Sequence, residues 1–147
     1  MKERYRSIVD VYVLMQRRDG LILLLERVNT GYADGQLCPP SGHLEAGESV
    51  VAGAIREARE ETGVLIDPGD LAFGHVVHHR NPHGQGRIGF FFTATRWRGE
   101  PVNLEPRKCA GLHWVDPHRP PASTVPYTAA ALTQIGQCIP FSLDGWP

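Results

Sequence analysis

Cysteine is scarce in this 147-residue sequence. Cys38, Cys109 and Cys138 are odd in number and scattered, with no C-x-x-C pair, which argues against both a disulfide framework and a zinc knuckle. Each is expected as a small buried or half-buried side chain. Long hydrophobic runs are also missing. The longest, Leu21–Leu25, is too short to span a bilayer, and the charged start MKERYRS leads into no signal-peptide-like apolar region. A reduced, cytoplasmic protein without membrane contact is expected. Nor is there an excess of positive charge. A formal net charge of −1 exerts no bulk attraction on a polyanion, so no nucleic-acid polymer is expected as a partner. An anionic ligand would have to be held by a few local arginines and bound metal. No repeat, low-complexity tract or composition shift divides the chain, so residues 1–147 read as a single domain, large enough to bury its own core.

What is present begins with strands. Residues 8–15 (IVDVYVLM) alternate Val9, Val11, Val13 and Met15 on one face, with Asp10 interrupting the other, and residues 21–26 form a second apolar run. Asp19-Gly20 between them is a hairpin signal, so these two strands are expected to pair. Residues 28–48 contain six Gly or Pro and read as a long loop with one short strand near Gly42–Glu45. A loop of that length in a compact domain usually carries function. A helix follows, with Ser49 as its N-cap and Gly63 just past its end. Strands are expected over 71–79, 87–95 and 110–115, and a last helix over Tyr127–Cys138 with Ala130, Ala131, Leu132 and Ile135 toward a core. Trp97, Trp114 and Phe90–Phe92 are expected as core or strand-pair aromatics. Strands joined by both hairpin and helical connections suggest a mixed sheet with helices on both faces.

The helix carries the chemistry. Glu57, Glu60 and Glu61 stand at i, i+3 and i+4, which puts three carboxylates on one face. Val51, Ile55, Ala58 and Thr62 form a separate stripe for packing. Like charges at that spacing repel, and two of them sit at the helix end whose dipole disfavours anions. A bound divalent cation removes both penalties, and hard oxygen ligands suit Mg²⁺, with Mn²⁺ as a substitute. Gly53, one turn before Glu57, leaves that face open.

The span GHLEAGESVVAGAIREAREETGV, Gly42–Val64, resembles the Nudix box, G-x5-E-x7-R-E-U-x-E-E-x-G-U with U aliphatic, at every position: Gly42, Glu48, Arg56, Glu57, Ala58, Glu60, Glu61, Gly63 and Val64. Seven fixed letters at average usage make a chance match on the order of 10⁻⁷. The chain is identified on this motif with the Nudix hydrolases. The resemblance implies an α+β fold, an α/β/α sandwich with a mixed sheet between helices. It also implies Mg²⁺-dependent cleavage of a phosphoanhydride in a nucleoside diphosphate-linked substrate, releasing a nucleoside monophosphate. Carried over position by position, Glu57, Glu60 and Glu61 are the metal carboxylates, joined by the Gly42 carbonyl. Glu48 and Arg56 tie the loop to the helix. Upstream, Pro39-Pro40-Ser41-Gly42 departs from the hydrophobic-Pro-Gly/Ala-Gly usual in the family.

The general base is either on the helix, as Glu57, or on a distant loop, where Glu105 stands; that loop is expected to be flexible and to swing over substrate. Candidate substrate contacts are Arg27 and Tyr32 in the loop before the box, and His79, Arg80 and Arg87 around a strand connection. His78 and His79 adjoin on a strand and point to opposite faces, so a zinc site shared with His83 is not expected. A nucleotide is the implied small-molecule partner, and self-association into a homodimer is left open. The length, and the lack of a proline at the spacing of many ADP-ribose members, resemble the triphosphate-cleaving branch. The alternative reading is a non-catalytic Nudix module that senses a nucleotide or holds a partner. Such modules usually lose box glutamates, and here all are kept. An isopentenyl diphosphate isomerase would need a longer chain.

Overall fold

The computed structural model describes residues 2–147. Eight strands and two α-helices follow in the order β1 (Ile8–Met15), β2 (Ile22–Arg27), β3 (Leu37–Cys38), β4 (Ser41–His43), α1 (Val50–Thr62), β5 (Leu71–Arg80), β6 (Gly86–Ala94), β7 (Cys109–Val115), α2 (Pro126–Gly136) and β8 (Phe141–Asp144), with one 3₁₀ turn at Pro68–Asp70. Two sheets form: a mixed one ordered β4-β1-β6-β5-β8, and a three-stranded one ordered β3-β2-β7. Among the described residues no helix is long and apolar enough to cross a membrane.

The expected pairing of the first two strands is corrected. The turn forms, with Gly20 N–H donating to the Arg17 carbonyl, but the ladder ends at a single bridge, Gln16–Ile22. β1 instead lies parallel to β6 over its whole length and antiparallel to β4, while β2 joins β3 and β7. The physical reason lies in β2, whose residues Ile22–Leu25 are all buried. A strand apolar on both faces belongs between two layers, and a hairpin laid on one surface would leave half of it exposed. Alternate residues accordingly enter two cores. Val11, Val13, Met15, Leu23, Leu25 and Phe92 pack with Ala54 and Ala58 of α1. Leu14, Ile22, Leu24 and Phe91 pack with Ala131 and Leu132 of α2. Each fully buried side chain of this size contributes about 1.5–3 kcal/mol, so the two cores hold one helix against each side of the sheets. This is the expected α+β sandwich.

The ends of α1 match expectation. Ser49 accepts from Ala52 N–H, and Gly63 takes a left-handed φ of 78° while donating to the Arg59 carbonyl. Elsewhere details differ. β3 and β8 were not foreseen, because two-residue and four-residue strands carry too few alternations to register. Ala130 faces solvent instead of the core, and Cys138, past the end of α2, is exposed, whereas Cys38 and Cys109 are buried. Pro39 and Pro40 are fully buried between β3 and β4. The Pro40 carbonyl accepts from Val13 N–H at 2.9 Å, so the diproline joins the two sheets.

Candidate active site

The capped start of α1 and the loop before it create a dense ionic knot. Arg56 donates twice to Glu48, Nε to Oε2 at 3.0 Å and Nη2 to Oε1 at 2.7 Å, and once to the His43 carbonyl at 3.1 Å. Its Nη1 reaches Glu57 Oε1 at 2.8 Å and Glu60 Oε2 at 3.3 Å. Glu48 also accepts from Glu45 N–H, which closes the loop on itself. Arg56 therefore bridges the loop and the helix and contacts Glu57. Hydrogen bonding from Arg56 holds the Glu48 carboxyl at about 2, far below the usual carboxylate range.

Arg56→Ala is expected to lower both activity and stability. Partners that orient a ligand typically cost about 10–100-fold when removed, and the melting temperature should fall by a few degrees. A depressed carboxyl stabilises the fold above its unfolded value and ceases to do so as pH falls toward its folded one. The stability gap between wild type and variant should therefore close on acidification from pH 5 toward about pH 2. Equal melting temperatures together with wild-type kinetics would reduce Arg56 to a solvated helix residue.

Two carboxylates reach β4. The Glu57 carboxylate lies directly over the Cα of Gly42, where any Cβ would collide with it; glycine is required there by close approach. Glu61 Oε2 accepts from Ser41 N–H at 2.8 Å. The expectation that Glu61 lies on an exposed face is corrected: it is half-buried. Burial first, and then the charges of Glu57, Glu105 and Glu60, push its carboxyl well above the usual range, against the pull of the Ser41 hydrogen bond. Burial raises Glu57 too, opposed by Arg56. Glu60 remains more open, with 47% of its side chain exposed. The space over Gly53 is not open, as expected, but filled by the Glu48 carboxylate and Leu44.

The charge of Glu105 adds, as one of the smaller causes, to the upward push on both Glu57 and Glu61. Its loop is tethered rather than flexible. Val102 N–H and Leu104 N–H donate to the Thr62 and Glu61 carbonyls at 3.0 and 3.1 Å, and Asn103 Nδ2 donates to the Cys109 carbonyl. The free carbonyls at the end of α1 find partners in this loop, which is why it docks there.

From β4 a cleft of about 460 Å³ extends along the sheet face toward α2. Arg27, Tyr32, His79, Arg87 and Gly42 all border it; Arg80 does not, its guanidinium lying 5.6 Å from the Trp146 ring centre instead. Arg27 is spent on the loop, donating to the Tyr32 carbonyl and Thr30 hydroxyl while stacking 5.5 Å from the Tyr32 ring. Arg87 pairs with buried Asp10 through two bonds of 2.9 Å, and His43 Nδ1 lies 2.7 Å from the same carboxylate. Of the cations foreseen for phosphate, Arg87 is thus already neutralised by Asp10 and Arg27 has donors occupied by the loop.

Asp10 and His43 were not among the foreseen site residues. The signal was present, since Asp10 is the one acid inside an apolar strand, but its partners are set by sheet register. Tyr12 and Tyr127 form the floor. Burial, and their mutual proximity for Tyr12, raise both phenols well above the ordinary range, so both stay as neutral hydroxyls. Thr128, also on the cleft wall, has a buried hydroxyl without a hydrogen-bond partner among the described residues.

Comparison with known proteins bears on this geometry. The sequence model of the NUDIX domain matches residues 4–133. The RNA pyrophosphohydrolase of Erythrobacter litoralis is 26% identical over 141 residues, 84% of each chain. The ADP-ribose pyrophosphatase of Methanocaldococcus jannaschii is 34% identical over 67 residues, covering 46% of this chain and 39% of that one. The m7GpppN-mRNA hydrolase NUDT17 of Bos taurus is 33% identical over 66 residues, covering 44% of this chain and only 22% of that protein's length. Among solved structures, the MutT NUDIX hydrolase from Burkholderia pseudomallei superposes with a TM-score of 0.79 at 27% identity, covering 88% of this chain and 98% of that one. With the complete box folded as a capped helix whose glutamates meet β4 at one end of the cleft, and with that match over residues 4–133, the chain belongs to the Nudix hydrolase family.

Proposed function

We propose that this protein hydrolyses a phosphoanhydride bond in a nucleoside diphosphate-linked substrate, a nucleoside triphosphate or related nucleotide, with release of a nucleoside monophosphate. One observation carries the reading. Glu61 accepts from Ser41 N–H and the Glu57 carboxylate lies over Gly42, so two box carboxylates meet the β4 end of the cleft, and Arg56 on Glu57 is the one cation hydrogen-bonded to either among the described residues.

The donor set suits Mg²⁺. It consists of hard carboxylate oxygens from Glu57, Glu60 and Glu61 and the Gly42 carbonyl, and burial makes the uncompensated anions costly. Among the described residues no three His, Cys, Asp or Glu side chains already converge as a cage. When bound, Mg²⁺ supplies neutralisation of phosphate charge and polarisation of the attacking water. The chain's own residues do the rest. Arg56 holds Glu57 in place, Ser41 N–H holds Glu61, and Glu105 is the residue proposed to take the proton of the attacking water. The rest of the cleft receives the nucleoside.

The test is a panel of nucleoside triphosphates, ADP-ribose and dinucleoside polyphosphates incubated with Mg²⁺, reading phosphate and pyrophosphate. Turnover of at least one, abolished by excess EDTA and restored by Mg²⁺ or Mn²⁺, is the expected result. Undiminished turnover in EDTA, or none on any member of the panel, would remove the reading. The latter outcome would favour the nucleotide-sensing alternative.

A further inference from the structure

The C-terminal strand contributes to the cleft, although it lies beyond residues 4–133 matched by the family. β8 runs parallel to β5 with Asp144 opposite His79, and β6 places Arg87 opposite His79 on the other side. Residues paired across neighbouring strands share a face, so Arg87, His79 and Asp144 form one row on the cleft side of the sheet. Asp144 Oδ2 lies 2.6 Å from His79 Nδ1, and the His79 ring stands edge-on to Tyr127 at 5.2 Å.

The strand end that carries Asp144 is clamped. Gly145 turns with φ of 78°, in a place where a Cβ would collide with the Arg80 carbonyl. Trp146 then folds back so that its Nε1–H donates to the His78 carbonyl at 2.8 Å. Two fixed contacts, Asp144 and Tyr127, therefore set the orientation of one imidazole.

We propose that His79, held by Asp144, is a specificity residue that reads a hydrogen-bond donor on the nucleoside portion of the substrate. The partner on Nδ1 decides which ring nitrogen carries the proton. When the ring is neutral, Nδ1–H donates to Asp144 and Nε2 is a bare acceptor directed away from Asp144; no hydrogen bond to Nε2 is made by any described residue. A bare acceptor repels phosphate oxygens and accepts from an N–H of a base or an O–H of ribose. The position agrees. β4, which meets the Glu57 and Glu61 carboxylates, and β5, which bears His79, are three strand spacings apart, about 14 Å at about 4.8 Å each. The diphosphate and the nucleoside of one substrate fit at opposite ends of that span. Asp144 acts through His79 and is a positioning residue.

The inference rests on the hydrolase reading in assuming a nucleoside-bearing ligand, and equilibrium binding tests it without turnover. The four common ribonucleoside 5′-monophosphates, ribose 5-phosphate and pyrophosphate are titrated into the full chain and into Asp144→Ala, His79→Phe and His79→Gln. Asp144→Ala and His79→Phe should weaken the best-bound monophosphate roughly tenfold, as expected for one lost directional hydrogen bond, with pyrophosphate unchanged. His79→Gln, which keeps an acceptor, should restore most of the affinity. A parallel loss for ribose 5-phosphate assigns the donor to the sugar; unaltered ribose 5-phosphate assigns it to the base. The ¹⁵N shifts of His79 should show Nδ1–H in the wild type and a tautomer mixture in Asp144→Ala.

Weakening that extends equally to pyrophosphate would make His79 a phosphate contact and overturn the proposal. So would unchanged monophosphate affinity, or a wild type that binds none of the four. Failure here with intact Mg²⁺-dependent hydrolysis would leave the hydrolase reading standing.

Discussion

Glu61→Gln is expected to lower kcat on the order of a thousandfold or more while the protein still folds. The loss follows from removing a carboxylate from the set that would hold the metal, whose charge stabilisation is worth several kcal/mol in the transition state. The fold survives because glutamine keeps an oxygen for Ser41 N–H, the one hydrogen bond to the Glu61 side chain among the described residues. Stability should move in the opposite direction from activity. The Glu61 carboxyl is raised, chiefly by burial and secondly by its acidic neighbours. The folded metal-free protein thus binds this proton more tightly than the unfolded chain, and stability is lost as pH rises above the ordinary carboxylate value toward the raised one. In EDTA, Glu61→Gln should therefore melt higher than wild type near neutral pH, and the difference should vanish on acidification below about pH 4. Thermal denaturation across pH beside single-substrate kinetics tests both halves. A variant that unfolds, or one that keeps half its activity, means Glu61 has another role.

The second large effect concerns the general base. Glu105→Gln should reduce kcat at least about a hundredfold, within the range of about 10²–10⁴ for loss of a positioned base, with substrate affinity little changed. A swinging loop would have allowed Glu105 to act only on closure. Here Val102 and Leu104 bind the loop to the last carbonyls of α1, which keeps Glu105 at that end of the helix. Glu57 is the weaker choice for base because Arg56 Nη1 and Gly42 both confine it. If Glu105→Gln alters KM alone, or nothing, the proton goes to Glu57.

Local signals carried a large part of the fold and the catalytic face. Ser49 and Gly63 bounded the helix because caps act through near neighbours. The three glutamates shared a face because helical spacing alone puts them there, and the Glu48–Arg56 tie was legible from the box. Signals that depend on other strands were not. Asp19-Gly20 specified a turn correctly, yet nothing near it showed that β1 and β2 enter different sheets. That outcome follows from β2 being apolar on both faces and needing two cores. Arg80 and Arg87 both looked free for phosphate; one lies against Trp146 and the other on Asp10, and neither partner is close in sequence.

Near neighbours in the chain were enough to show which residues have the chemistry: the carboxylates, their arginine, the capped helix and the family they identify. The partners of those residues, and the burial that shifts them, came from the folding together of distant segments. Burial raised Glu61, and strand register set Asp10 between Arg87 and His43 and Asp144 against His79. The division has a physical cause. Helix caps and face periodicity are set over three or four residues. Desolvation and ion pairing depend on chain segments some 30 to 80 positions apart, whose meeting is settled by how two apolar faces of a sheet are covered.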